Sequence, residues 1–319
     1  MRTRSDRLVA VATLGAFVVV AGVLGLVSLY LGAVTQALSG MQRTESLPEY
    51  QGRPTSAVTD GTVPMRYLVL VTDEHGDLAS AYLAQLSGGR DALQLIGLPA
   101  NLLVQDSDGA DTTLATLFTP DGSAVVRAVE TMFDLRLDHL VAVDLEGFTR
   151  LIDVVDGVTV SNRTEIAADG LHFGTGDLRL TGSQAEVYLG ASKQPMVRLE
   201  RTQAVVLDFL KAVAGGDALT NPAKVETIGQ VLHDYVRVDA DLTSGEIRRM
   251  ALDARITSDT LTAHPLPLAG VSLLRSAEVT VPDAARVQEL AEALNSDQVA
   301  AWVARQTDPW PELGQLPPR

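Results

Sequence analysis

Residues 138–160 read DHLVAVDLEGFTRLIDVVDGVTV, and three elements follow from that pattern alone. HLVAVDL (139–145) is a short apolar run rich in β-formers, the mark of a strand. It runs into a helix from Glu146 to Val155, which Asp156-Gly157 ends. VTV (158–160) is then the next strand. Strand, helix and strand in one short stretch are the working unit of a layered α/β domain.

The flanking sequence continues the alternation. Upstream, RYLVLV (66–71) reads as a buried strand. AYLAQL (81–86) and ALQLIGL (92–98) follow, joined by Ser87-Gly88-Gly89-Arg90-Asp91, a hairpin-like turn. Ser123 is placed to cap a helix through Leu135, with Val126, Val129, Met132 and Phe133 on one face. Downstream, LHF and LRL flank Gly174-Thr175-Gly176-Asp177 as a compact hairpin. Thr181 then caps a helix through Leu189, with Gln184 at the reciprocal position of a capping box. A long helix runs from Val197 to Val213 and ends at Gly215-Gly216. Helices near 221–233, 243–255 and 283–295 and strands near 260–264 and 276–281 complete the reading. The tail from Thr307 is Pro-rich and reads as disordered.

The N-terminus sets the compartment. From Leu8 to Leu38 no residue is charged, and a helix needs about 20 apolar residues to cross a bilayer. Arg2, Arg4 and Arg7 precede this run against Asp6, so the N-terminus is expected in the cytoplasm and the bulk of the chain outside. A cleaved signal peptide would have an apolar stretch of only about 7–15 residues, and this run is too long for one. The reading is therefore a single-pass cell-membrane protein with its large domain extracytoplasmic. Residues 39–63 are polar, rich in turn formers and without periodicity, a stalk.

Composition excludes several functions. The formal net charge is −15, which argues against a nucleic-acid partner, because phosphate binding relies on clustered Lys and Arg. The chain has no cysteine, hence no disulfide, no thiolate metal site and no thiol nucleophile. His75, His139, His172, His233 and His264 show no metal-ligand spacing. Ser183 and His172 lack triad partners by spacing. QDSDGADTT (105–113) lacks the glycine at the sixth position of a calcium loop and has Leu117 where the closing glutamate is needed, so it reads as a solvated turn. Asn162-Arg163-Thr164 matches a glycosylation sequon, a pattern common by chance.

Four segments in order resemble the LytR-CpsA-Psr family of bacterial envelope proteins. They are 138–160, with Asp-His before the strand and Glu-Gly-Phe opening the helix; LRLTGSQAEVYL (178–189); RLERTQAVVLDFL (198–210); and EVTVPDAARVQELAEAL (278–294). The resemblance implies a three-layer α/β/α domain with a central mixed sheet, preceded by one N-terminal transmembrane helix. The expected organisation is a cytoplasmic tail (1–7), a transmembrane signal-anchor (8–38), a stalk (39–63), the family domain (64–295) and a C-terminal tail (296–319). It also implies cell-wall biogenesis: transfer of a glycopolymer from a polyprenyl-pyrophosphate carrier to peptidoglycan, with arginines and aspartates clamping pyrophosphate and Mg²⁺. Phosphoryl transfer needs such charge neutralisation more than a covalent nucleophile.

The chain departs from that pattern at the clamp. Asp73 is kept, but His75 stands where the family has arginine. Leu78-Ala79-Ser80-Ala81 replaces Arg-x-Asp-Thr, Pro99-Ala100-Asn101 replaces Pro-Arg-Asp, and Gly190-Ala191-Ser192 replaces Arg-x-Arg. Arg198 and Arg201 survive, at i, i+3 on one helix face. With Asp73 they form the candidate residual site for an anionic lipid head, or else Asp73 is a turn residue and the two arginines are solvated surface. No metal site is assigned, and Mg²⁺ is expected only with an active enzyme. Three functions remain. One is a catalytically impaired pseudoenzyme that binds a polyprenyl-(pyro)phosphate-linked glycopolymer or lipid at the cytoplasmic membrane, or regulates an active paralogue. Another is an active transferase with a site rebuilt from residues such as Arg179 or Lys193. The last is a structural interaction module.

Overall fold

The computed structural model describes residues 42–56, 62–73, 75–192, 194–215, 221–253, 255–256 and 259–306. The expected cytoplasmic tail 1–7, transmembrane segment 8–38 and Pro-rich tail from Thr307 lie outside the described residues. Among the described residues no helix is long and apolar enough to cross a membrane.

The chain opens with β1 (Gln42–Arg43), β2 (Met65–Thr72), β3 (Leu78–Leu86) and β4 (Leu93–Pro99). A small hairpin, β5 (Leu103–Gln105) and β6 (Asp111–Thr113), leads to α1 (Leu114–Leu117) and α2 (Ser123–Phe133). Next come β7 (His139–Asp144), α3 (Leu145–Val154), β8 (Val158–Asn162), β9 (Ile166–Ala168), β10 (Leu171–Phe173) and β11 (Gly176–Leu180). Then follow α4 (Gly182–Gly190), α5 (Pro195–Gly215), α6 (Pro222–Tyr235), β12 (Val236–Val238) and α7 (Ser244–Asp253). The chain closes with β13 (Leu261–Pro265), β14 (Leu268–Leu274), β15 (Ala277–Pro282), α8 (Ala284–Asn295) and α9 (Val299–Ala304).

Seven strands form one mixed sheet in the order β1-β12-β7-β2-β3-β4-β13. β2, β4, β7 and β13 run one way, and β1, β3 and β12 run the other. Because side chains alternate across a strand, each central strand feeds two cores. Tyr67, Val69 and Val71 of β2 face α3–α6, while Leu68 and Leu70 face α2, α8 and α9. β3 is buried along its whole length, which explains its continuous small and apolar composition. The architecture is three layers around a mixed sheet, as the sequence implies.

The motif residues have identifiable structural work. Asp138 accepts a hydrogen bond from the backbone N–H of Arg66 (2.8 Å), tying the start of β7 to the start of β2. His139 lies against the carboxylate of buried Asp239 (Nδ1···Oδ2 3.2 Å) and stacks on Tyr67. Gly147 and Gly182 mark close approaches. A Cβ on the first would overlap Tyr235 of α6, and one on the second would overlap the Thr149 carbonyl and the Asp153 carboxylate of α3. Thr181 and Gln184 form the expected capping box.

Several expectations change. Ser123 is the first helical residue and not the cap, because the turn before it delivers Gly122 at φ 68° with no side-chain cap bond. LHF and LRL do not pair. Gly176–Leu180 forms a five-residue ladder with Val158–Asn162, burying Val158, Val160 and Leu180, and LHF pairs with Ile166–Ala168 inside it. Asn162 closes this nested hairpin: its buried amide donates to the carbonyls of Thr164 and Gly174 (2.7 Å each). The strand β14 was not read from the sequence, since its turn, Arg275-Ser276, carries no Gly or Asn signal.

The stretch expected as a stalk joins the domain. β1 pairs with β12, Leu47 is buried, and Arg53 places its guanidinium on Glu130 (Nη2···Oε1 2.8 Å) with both side chains buried, 4% and 0% exposed. Glu130 also accepts from Tyr50 Oη (2.7 Å) and from the Leu137 backbone N–H (2.9 Å). Glu130→Ala leaves the buried Arg53 guanidinium with only the exposed Glu49 carboxylate and the Leu137 carbonyl, strands Tyr50 Oη and the Leu137 N–H, and is expected to cost about 3–5 kcal/mol in urea unfolding. A loss below about 1 kcal/mol would class the pair with surface ion pairs.

Candidate functional site

The carboxyl ends of β2, β4, β7 and β13 share one end of the sheet, where open α/β sheets gather ligands. Asp73 leaves β2 there and shapes its own turn. Its Oδ1 accepts from the backbone N–H groups of His75 (3.0 Å) and Asp77 (3.1 Å). The His75 ring is mostly exposed, with Nδ1 4.0 Å from Asp73. The strand expected from Ala81 begins three residues earlier, so Leu78, Ala79 and Ser80 are its first, buried residues. Asn101, just past β4, is bound to β15: its side chain accepts from Thr280 Oγ1 (2.9 Å), and its carbonyl accepts from Thr280 N (3.0 Å). Gly190 and Ala191 end α4.

The two retained arginines differ. Arg201 donates from Nη1 to the Tyr188 carbonyl (3.0 Å) and lies over the Tyr188 ring, 5.1 Å from its centroid. It therefore braces α5 against the end of α4, where a cation also suits the helix dipole. Burial lowers its pKa from the usual value, with Tyr188 and Glu200 opposing. Arg198 sits one turn earlier, half-buried, its carbonyl accepting from Thr202 Oγ1 (2.9 Å). Glu200 is half-buried too, and burial raises its carboxyl against the pull of Arg163 and Arg201. Arg179 is engaged with the Asp156 carbonyl (2.7 Å). Lys193 lies outside the described residues.

A group that the sequence reading did not single out sits beneath this helix. Gln203, the last residue of Arg-x-x-Arg-x-Gln, is fully buried above Gly97 of β4, and a Cβ on Gly97 would come within 2.8 Å of its Oε1. Gly97 is in register with Tyr82, and Pro99 with Ser80, so these residues share the face toward α5. Ser80 Oγ, Tyr82 Oη and Gln203 Oε1 are all buried, and none has a hydrogen-bond partner among the described residues. Burial pushes the Tyr82 phenol up, while the Ser80 and Thr202 hydroxyls facing it pull it back in part without closing a hydrogen bond. A buried polar atom without a partner costs about 1–3 kcal/mol, so three together call for a functional account. The motif carried part of the signal, a glutamine beside apolar helix positions (Ala204-Val205-Val206); the glycine it faces is set by packing.

The cluster is neutral. Ser80 stands where the resemblance puts an aspartate, and Gln203 Nε2 donates to the His264 carbonyl (3.4 Å), while the His264 ring meets Gln94 (3.1 Å) on the other face of the sheet. Among the described residues no three acidic or histidine side chains gather to hold a metal. Asp73 Oδ1 is committed to its turn and no acidic or histidine trio stands with it among the described residues, so these residues do not make a magnesium site of their own.

The LytR_cpsA_psr family model matches residues 72–296. The chain belongs to this family. Among curated relatives, the polyisoprenyl-teichoic acid–peptidoglycan teichoic acid transferase TagU of Bacillus cereus is 28% identical over 167 residues, 49% of this chain and 55% of that protein. The chain thus spans about half the length of this relative. Solved structures with the same fold include a LytR-Csp2A-Psr enzyme from Actinomyces oris (TM-score 0.63, 19% identity, 80% of this chain and 96% of that one). B. subtilis TagV is another (TM-score 0.62, 19% identity, 73% and 97%).

Tyr82→Phe removes one partnerless hydroxyl and keeps the ring. Thermal unfolding is expected to show stability unchanged or raised by about 1 kcal/mol. A loss of more than about 1 kcal/mol would mean that the phenol makes a bond the geometry does not record.

Proposed function

We propose that this LytR-CpsA-Psr protein is anchored in the cell membrane by residues 8–38, faces outward, and serves cell-wall glycopolymer assembly by binding a polyprenyl-(pyro)phosphate-linked intermediate without transferring it. Family membership and the TagU relatives support the envelope role. The observation that carries the impaired reading is the neutral cluster of Ser80, Tyr82 and Gln203. It occupies the ground between β3, β4 and α5, where a pyrophosphate clamp would need charge. Each lost donor to a developing phosphoryl charge lowers the rate by about 10²–10³. The turn role of Asp73 and the docking role of Asn101 point the same way, since neither is left to hold a phosphate or a metal.

Arg198 is then the cation best placed to meet a phosphate head, with Arg201 beside it in its brace on α4. Planar guanidinium groups suit phosphate because each offers paired N–H donors. Binding such a head to an acidic protein must rest on these local donors, because the overall field repels anions.

Two measurements on the full-length protein test the proposal. No Mg²⁺-dependent phosphate release from prenyl pyrophosphates is expected. Turnover comparable to an intact family member, abolished by Asp73→Ala, would overturn the impaired reading. A short-chain prenyl phosphate should bind about tenfold or more weakly to Arg198→Ala/Arg201→Ala than to wild type, a difference of about 1.4 kcal/mol. Equal affinities, with both proteins shown to fold, would leave the arginines as surface charge and favour the interaction module.

A further inference from the structure

The strand directions say at which end of the sheet the chain enters the domain. β1 runs parallel to β12 and therefore opposite to β7, and Gln42 is in register with Arg237, which pairs with Ala142 near the carboxyl end of β7. The chain thus enters the described structure at the end of the sheet that holds Thr72, Pro99, Asp144 and Pro265. Residues 39–41 alone separate Gln42 from the uncharged run that ends at Leu38.

The same end carries an exposed apolar element. β14 and β15 leave the sheet directly after β13, on the edge opposite β1, and form a separate two-stranded hairpin. Its turn residues Arg275 and Ser276 have φ 49° and 72°, the paired positive values of a type I′ turn. Val271 and Leu273, two apart and so on one face of β14, are 41% and 73% exposed. They are the exposed large hydrophobic side chains among the described residues. By the ordinary strand spacing, β1 and β13 stand roughly 30 Å apart across the sheet.

We propose that this hairpin is a second membrane contact, with Val271 and Leu273 seated in the interfacial layer of the bilayer. The inference rests on the anchored reading above. Anchor and hairpin lie at opposite edges of one sheet end. Together they stand the domain with the carboxyl ends of its parallel strands toward the lipid, and turn the Asp73 loop to the surface from which a lipid-linked ligand arrives. Lipid is favoured as the occupant because the uncharged run delivers the bilayer to this end of the sheet. A Val–Leu pair also covers far less than the roughly 800 Å² per partner of a stable protein interface. The neighbouring β5–β6 turn is acidic: Asp106, whose carboxyl is held low mainly by the Ala110 and Asp108 N–H groups, also feels Arg275. These carboxylates repel anionic headgroups, so the contact is apolar in character.

The chain has no cysteine, so one introduced thiol takes a fluorophore cleanly. Glu278→Cys places the label across the ladder from Leu273, on the same face of the hairpin, at an exposed position. Glu292→Cys places it in the last turn of α8, whose Leu294 carbonyl accepts from Arg66 at the opposite end of β2 (3.1 Å). Each full-length labelled protein is reconstituted into phosphatidylcholine vesicles and floated on a density gradient. The proteins should float. Spin-labelled lipid should quench the label at 278 about twofold or more, as befits a group some 5–10 Å into the headgroup boundary, and spare the label at 292. Adding Val271→Ser and Leu273→Ser, both at exposed positions, should remove that quenching while circular dichroism is unchanged. Flotation with no quenching at 278, or quenching that survives the two serines, overturns the hairpin contact alone. Failure to float overturns it together with the anchored reading. A blue shift at 278 that spin-labelled lipid leaves untouched assigns the patch to protein contact and also overturns it.

Discussion

The approach of α5 to β4 at Gly97 is the constraint on which the functional end of this domain depends. With no side chain at 97, Leu199 and Gln203 settle onto the sheet, and a methyl group there would strike both. That depth brings Gln203 and Thr202 down to the level of Ser80 and Tyr82 and sets Arg201 against the last turn of α4. It also lets Asp208, further along α5, accept from the Thr159 backbone N–H and so join the nested hairpin to the helical layer. The missing Cβ thus leaves room for these two side-chain ends at the sheet surface, where the polar groups of α5 and β3 come together. Gly147 and Gly182 do the same for the pairs α3–α6 and α4–α3.

Electrostatics then separates the two halves of the molecule. Away from the site, two buried charges are matched: Glu130 with Arg53, Tyr50 and the Leu137 N–H, and Arg66 with Gln85 and the Leu294 carbonyl. Such groups fix register because each has one arrangement that satisfies every partner. Beneath α5 the polar atoms are neutral and unmatched, and this is the place where the fold keeps hydrogen-bonding capacity in reserve. A family clamp would have filled it with charge held in place by a ligand. Here the buried hydroxyls and amide are polar without demanding a counter-ion, whereas phosphoryl transfer calls for charge.

The sequence by itself determined the layered order of strands and helices, because hydrophobic period and capping chemistry are local. RYLVLV and HLVAVDL could only be buried strands, and Thr181 with Gln184 could only open a helix. It also exposed the missing charges at His75, Ala100 and Asn101, since a charge is present or absent whatever the fold. Tertiary structure alone decided the rest. Gly122 rather than Ser123 is the N-cap of α2 because a preceding turn delivers it there. LHF pairs with its upstream neighbour because the longer ladder beside it buries more apolar surface. Residues 42–53 join the domain because a buried carboxylate, Glu130, eighty positions from Tyr50, needs Arg53. The cluster of Ser80, Tyr82 and Gln203 draws on a strand and a helix more than a hundred residues apart, and nothing local in either announces that they meet. Pattern reports what a segment buries; only packing reports what it is buried against.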